Sequence, residues 1–206
     1  EFIAYEGKPQ KIILCYHSLN INRDSSLGFN EFKRQIEGIE RIGFTLTRID
    51  RLKNPRSIGL TFDDADKSIY KLAYPYLRKK GIAGTLFIPT DYIGKEGFVS
   101  WEEVKEMSKN GWDIQAHGVT HQHLDEEYQD ETKEDYKKRM YNELYTAKRK
   151  IESEINHNVE YFAYPDILAP FYQRVRIFNS GVLVHFLRYC FLERLFGFFG
   201  EKRFIS

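Results

Sequence analysis

Short β-branched runs alternate with amphipathic helical stretches along the first three quarters of the chain, and this order restricts the fold more than any other feature. Lys11 to Tyr16 (KIILCY) reads as a strand, after which Phe29, Phe32, Ile36, Ile39 and Ile42 recur at helical spacing up to Gly43. The alternation continues with strands at 44–47 and 58–62, a helix over 67–80 stopped by Gly81, and a strand at 83–88 stopped by Pro89. Pro75 is expected to kink or restart its helix, because it brings no N–H to the hydrogen-bond ladder. A helix at 101–110, a strand at 112–117, a long charged helix around 131–154 and a strand at 161–164 complete the series. Repeated β and α units predict an α/β fold with a parallel sheet, open or closed into a barrel.

Composition narrows the class of partner. With 206 residues, 42% of them apolar, the chain is long enough for one globular core without disulfide staples, so Cys15 and Cys190 are not a disulfide framework. Its 31 basic and 30 acidic residues leave a net charge of +1, which provides no overall field for a nucleic-acid backbone, and nucleic acid is not an expected partner. The opening EFIAYEGKPQ has neither a basic nor an apolar targeting region and leaves the compartment open.

The domain is expected to run over 1–165, because the character of the chain changes after Pro165. Residues 166–206 hold 8 of the 16 phenylalanines and five Arg to one Lys, an atypical Phe/Arg-rich tail. A frame-shifted reading of the gene would give the same shift, which resequencing the locus tests. The apolar run from Val182 to Phe199 is broken by His185, Arg188, Glu193 and Arg194, so no transmembrane helix is expected there.

Two constellations carry chemistry. Thr61-Phe62-Asp63-Asp64 closes a predicted strand, where parallel α/β folds place reactive groups. Consecutive side chains on a strand point to opposite sides, so Asp63 and Asp64 can share a pocket only if the chain bends there. A solvated turn or a helix N-cap is the bland alternative. His117-Gly118-Val119-Thr120-His121 follows another predicted strand, and its two imidazoles can converge on one cation if the intervening residues form a helical turn. A polar loop with unrelated histidines, His123 among them, is the alternative. Two strand ends delivering two histidines and a carboxylate would leave open positions for water and substrate.

In order and spacing, the Thr61-Phe62-Asp63-Asp64 run, the His117/His121 pair and Phe162-Ala163-Tyr164-Pro165 resemble the motifs of the polysaccharide deacetylases, carbohydrate esterase family 4, over about residues 11–165. Tyr16-His17 and the Phe-Ala-Tyr-Pro form look most like the enzymes acting on poly-β-1,6-N-acetylglucosamine, a biofilm polymer. The resemblance implies a distorted, partly closed (β/α) barrel with its C-terminal strands missing or altered. It implies that Asp64, His117 and His121 bind a divalent metal (zinc first, with cobalt, nickel or iron as alternatives), that Asp63 is the general base, and that Tyr164 and Pro165 line the sugar groove. A polysaccharide substrate and an extracytoplasmic location follow from the same resemblance.

The chain also departs from that pattern. Gly118 stands where the family usually has Ser or Thr, whose hydroxyl helps position the loop. The third motif lacks the arginine that orients the base, so another group must hold Asp63, and Asp166 sits where the oxyanion would be met. Gly181 to His185 looks like the family's final, histidine-bearing strand but follows Pro165 by too few residues, and a lone core histidine is the plainer reading of His185. Missing strands would expose an edge and invite self-association through the tail. His17 is expected to support the site or line the groove, His157 to be surface, and Tyr128 to Tyr145 to be a solvated helix face. Two other functions compete with deacetylation: a carbohydrate-binding remnant lacking the acid, and a metal-free glycosidase. Adjacent Asp63 and Asp64 argue against the glycosidase, since its two carboxylates must flank a bond ~5–9 Å apart.

Overall fold

The computed structural model describes residues 12–20, 27–53, 55–124 and 127–165. Five parallel strands form one sheet: β1 (Ile12–Tyr16), β2 (Thr45–Thr47), β3 (Ser57–Phe62), β4 (Thr85–Ile88) and β5 (Asp113–Ala116). β3 is the hub. Ile12–Tyr16 pair along Ile58–Phe62 on one side; on the other, β2 pairs with residues 57–59 and β4 with Thr61 and Phe62, after which β5 pairs with β4. The sheet does not close on itself among the described residues.

The period-2 alternation of side chains gives the sheet two different faces. Leu14, Tyr16, Leu60, Phe62, Leu86, Ile88 and Ile114 belong to the main core, which they share with α1 (Phe29–Arg41), α2 (Tyr74–Lys79), α3 (Trp101–Lys109), α4 (Lys133–Tyr141) and α5 (Ala147–Ile155). An aromatic chain runs through it: Tyr16 meets Phe32 edge-on at 5.0 Å, and Phe62 lies 5.2 Å from Trp112. The opposite face has a smaller cluster of Ile13, Ile49, Leu52, Phe87 and Ala163. That second face is the inside of the incomplete barrel, and by alternation it carries Cys15, His17, Asp63 and His117 toward the carboxyl ends of the strands.

Helix signals explain most boundaries. Ser100 and Glu103 form a capping box at the start of α3, and the Thr132 side chain accepts from Asp135 N at the start of α4. A π turn, Ile69–Ala73, precedes α2, which has Pro75 in its first turn, so the expected restart at the proline takes the form of one wide turn. The long charged helix likewise contains a π turn, Asn142–Thr146, between α4 and α5. The strand expected at 161–164 is reduced to a single parallel bridge between Ala116 and Phe162. Its ladder is cut short because the Gln115 side chain accepts both Glu160 N and Tyr161 N at 2.8 Å. His157, expected at the surface, instead meets the buried Asp113 carboxylate at 2.9 Å. No helix among the described residues is long and apolar enough to cross a membrane. The tail 166–206, His185, Asp166 and the expected self-association through the tail all lie outside the described residues.

Gly84 marks the tightest packing of the hub. A Cβ there would come within 2.9 Å of Phe62 Cε2 and 3.1 Å of the Leu60 carbonyl oxygen. Gly84→Ala is therefore expected to destabilise the chain by roughly 1–3 kcal/mol, read as a lower urea midpoint at unchanged slope.

Candidate active site

The first half of the site is made by a backbone reversal at the end of β3. Asp64 and Ala65 both take left-handed φ values, 66° and 59°, and this is the bend that brings Asp63 and Asp64 into one pocket. The helix-capping role falls to Asp66, whose carboxylate accepts Ser68 N at 2.8 Å, leaving Asp63 and Asp64 for the pocket. Asp63 is anchored through its N–H to the Tyr16 carbonyl at 2.9 Å, which ties it to β1.

The second half comes from the loop after β5. His117 is buried, and its Nδ1 donates to the Ala163 carbonyl oxygen at 2.9 Å, which turns Nε2 toward Asp64. His117 and His121 are brought together without a helical turn between them. The loop reverses through left-handed residues, Gly118 at φ 90° and His121 at φ 62°, and is pinned to the segment after β4 by Thr90 N to Gly118 O at 3.1 Å and Asp91 N to Val119 O at 2.9 Å. The two rings meet edge-on, 4.8 Å apart.

One oxygen sits where these parts meet. Asp64 Oδ1 lies 3.2 Å from His117 Nε2 and 3.0 Å from His121 Nε2, yet it is buried without a hydrogen-bond partner, and so is Asp63 Oδ1. Buried polar atoms are rarely left in this state, and a carboxylate and two imidazole nitrogens facing one point fit a divalent cation. Burial opposes ionisation of Asp64, but the His117 and His121 imidazoles outweigh it and hold the carboxyl well below the usual carboxylate range. Burial likewise opposes charge on His117, and the Asp64 and Asp63 carboxylates turn the balance so that its pKa is raised. Tyr164 is half-buried, packed edge-on against Phe162 at 5.3 Å, and Pro165 is buried.

Glu143 is the functional residue that sequence reasoning missed. It is 1% exposed, and its carboxylate accepts Val119 N at 2.6 Å, Thr120 N at 3.0 Å and Thr120 Oγ1 at 2.6 Å. These three donors hold the histidine loop, the task that a hydroxyl at position 118 usually helps with in the family the motifs resemble. A side chain at 118 would be strained by the left-handed φ of 90°, and its Cβ, 2.6 Å from Glu143 Oε2, would push the carboxylate off its donors. The available signal was the stripe Met140, Leu144, Ala147 and Ile151: Glu143 lies on the same buried side of the helix.

Fold and site together describe an α/β protein whose candidate site of two histidines and two carboxylates lies at the carboxyl ends of parallel strands. Residues 50–169 match the sequence profile described as polysaccharide deacetylase, and the chain belongs to that family. The Bacillus subtilis protein YxkH is 31% identical over 127 residues, 57% of this chain and 46% of its own length. The poly-β-1,6-N-acetyl-D-glucosamine N-deacetylase of Staphylococcus aureus strain MSSA476 is 44% identical over 68 residues, 30% of this chain and 23% of its own length. The matches thus span less than half the length of these relatives. Among solved structures, IcaB from Ammonifex degensii has a TM-score of 0.67 at 22% identity, covering 78% of this chain and 76% of its own, which bears on the fold. A polysaccharide deacetylase from Bacillus cereus has a TM-score of 0.63 at 26% identity, covering 76% and 51%.

If the Glu143 carboxylate is what Gly118 must make room for, the two positions are coupled. Gly118→Ala is expected to cost less stability in a Glu143→Ala background than in the parent, with a coupling of about 0.5–3 kcal/mol in a double-mutant cycle followed by urea unfolding. Additive costs would contradict the contact.

Proposed function

We propose that this chain is a metal-dependent N-deacetylase of a β-linked N-acetylglucosamine polysaccharide, with poly-β-1,6-N-acetylglucosamine as the substrate class. The observation that carries this reading is the buried, unpartnered Asp64 Oδ1 facing two imidazole nitrogens, with the unpartnered Asp63 Oδ1 beside it. Family membership and the similarity to the staphylococcal enzyme support the substrate class.

Asp64, His117 and His121 would hold the ion, zinc being the natural occupant of such a set and cobalt, nickel or iron the alternatives. The bound ion supplies Lewis acidity toward the acetamide carbonyl and an acidified water. Asp63 accepts the proton of the attacking water through its free carboxylate oxygen. The Ala163 carbonyl keeps His117 in the tautomer that presents Nε2, and Glu143 keeps His121 opposite it. Tyr164 and Pro165 line the sugar groove. Residues 1–165 constitute the deacetylase domain, 166–206 a distinct tail, and the protein works outside the cytoplasm on extracellular or envelope polysaccharide.

The test is metal content together with acetate release from β-1,6-linked N-acetylglucosamine oligomers. About one metal per chain is expected, lost in His121→Ala, and Asp63→Asn should slow acetate release about 10²–10⁴-fold while leaving the metal in place. Stoichiometric metal without acetate release would overturn the catalytic reading in favour of a carbohydrate-binding remnant. Folded protein without metal would overturn the site itself.

Glu143→Gln is expected to weaken metal binding about 10–100-fold in a chelator competition without removing any ligand.

A further inference from the structure

A second set of donors lies beside the first and has no role in the chemistry above except through Asp63. The parallel register pairs Cys15 with Thr61 and Tyr16 with Phe62, so one step further His17 comes alongside Asp63. By alternation, Cys15, His17 and Asp63 share the inner face of the sheet. The Cys15 sulfur, a His17 ring nitrogen and an Asp63 carboxylate oxygen lie within 4.8 Å of one another. Cys15 is a free, buried thiol, His17 is half-buried, and Asp63 is 6% exposed with Oδ1 lacking any hydrogen-bond partner. A buried carboxylate oxygen with no donor, beside a thiol and an imidazole, is the coordination environment of a borderline-soft cation and not of magnesium or calcium.

We propose that Cys15, His17 and Asp63 form a second divalent-cation site, distinct from Asp64, His117 and His121, that takes zinc or cobalt in excess of the first equivalent. Binding breaks the Cys15 S–H bond, forms the sulfur–metal bond and releases one proton to solvent; the thiolate and the Asp63 carboxylate then balance the two charges of the ion. The first set has no thiol proton to expel, so it fills first. An ion in the second site occupies the carboxylate that must accept the proton of water, so excess metal inhibits. This consequence rests on the role proposed for Asp63, whereas the binding itself does not.

Cobalt(II) titration of the full chain, metal-free and carrying Cys190→Ser so that Cys15 is the sole thiol, reads the site directly. The first equivalent is expected to bind without a sulfur-to-cobalt charge-transfer band, and the second to bring in that band together with one released proton. Cys15→Ser removes the band and His17→Ala weakens the second stage about tenfold or more, while each keeps the first stage and a cooperative thermal transition. Saturation at one equivalent with no band would overturn the proposal, as would a second stage that His17→Ala leaves unchanged. Acetate release measured against zinc separates the two readings. Inhibition that moves to higher zinc in His17→Ala supports the inhibitory role, and a band that forms without inhibition keeps the second site while counting against Asp63 as the base.

Discussion

The histidine loop after β5 has no strand or helix of its own to shape it, and the Glu143 carboxylate supplies what the backbone lacks. Three donors from Val119 and Thr120 converge on that one group, at sequence separations of 23 and 24 residues. A buried carboxylate with fewer donors would be costly, and a loop without the carboxylate would leave its own N–H groups unpaired, so each needs the other. The arrangement sets His121 opposite His117 and also explains why position 118 has no side chain.

The other half of the site depends on the sheet. β3 delivers Asp63 and Asp64 at its carboxyl end, and the left-handed pair Asp64–Ala65 turns what would be opposite-facing side chains into neighbours. The same alternation that buries Phe62 against Trp112 on the helix side sends Thr61 and Asp63 inward. Core and site are thus two faces of one strand, and packing that fixes Phe62 also fixes the height of Asp63. The inner face carries an additional polar layer, in which Asp113 meets His157 and Gln115, and Gln115 in turn takes the backbone of residues 160 and 161. This layer positions the segment whose Ala163 carbonyl orients His117.

Local signals made much of this legible. The period of apolar residues located the five strands and the main helices to within one or two residues, and the strand-end position of Asp63-Asp64 together with the His117/His121 spacing identified the cluster. What was hidden arises from long-range contacts. Glu143 belongs to a helix so rich in Lys and Glu that its charge reads as solvated, and only the apolar stripe beside it indicates burial. A helical turn is the route to convergence that the spacing of the histidines suggests, but Gly118 takes a φ of 90° and lets the loop reverse instead. Nothing local marks His157 as buried, because its partner, Asp113, is 44 residues away on a strand. The strand at 161–164 has the right composition, but Gln115 captures the Tyr161 N–H that would extend its ladder on β5, leaving the single bridge at Phe162.

The proposed chemistry stands or falls with the convergence of Asp64, His117 and His121 on one cation. X-ray absorption at the zinc edge, on protein loaded with a single equivalent, tests it most directly. The first shell should hold two imidazoles with oxygen and no sulfur, unchanged by Cys15→Ser, and that two-imidazole shell should be absent from His121→Ala, which does not retain the ion. Sulfur in that shell at one equivalent, or a shell indifferent to His121→Ala, would contradict it.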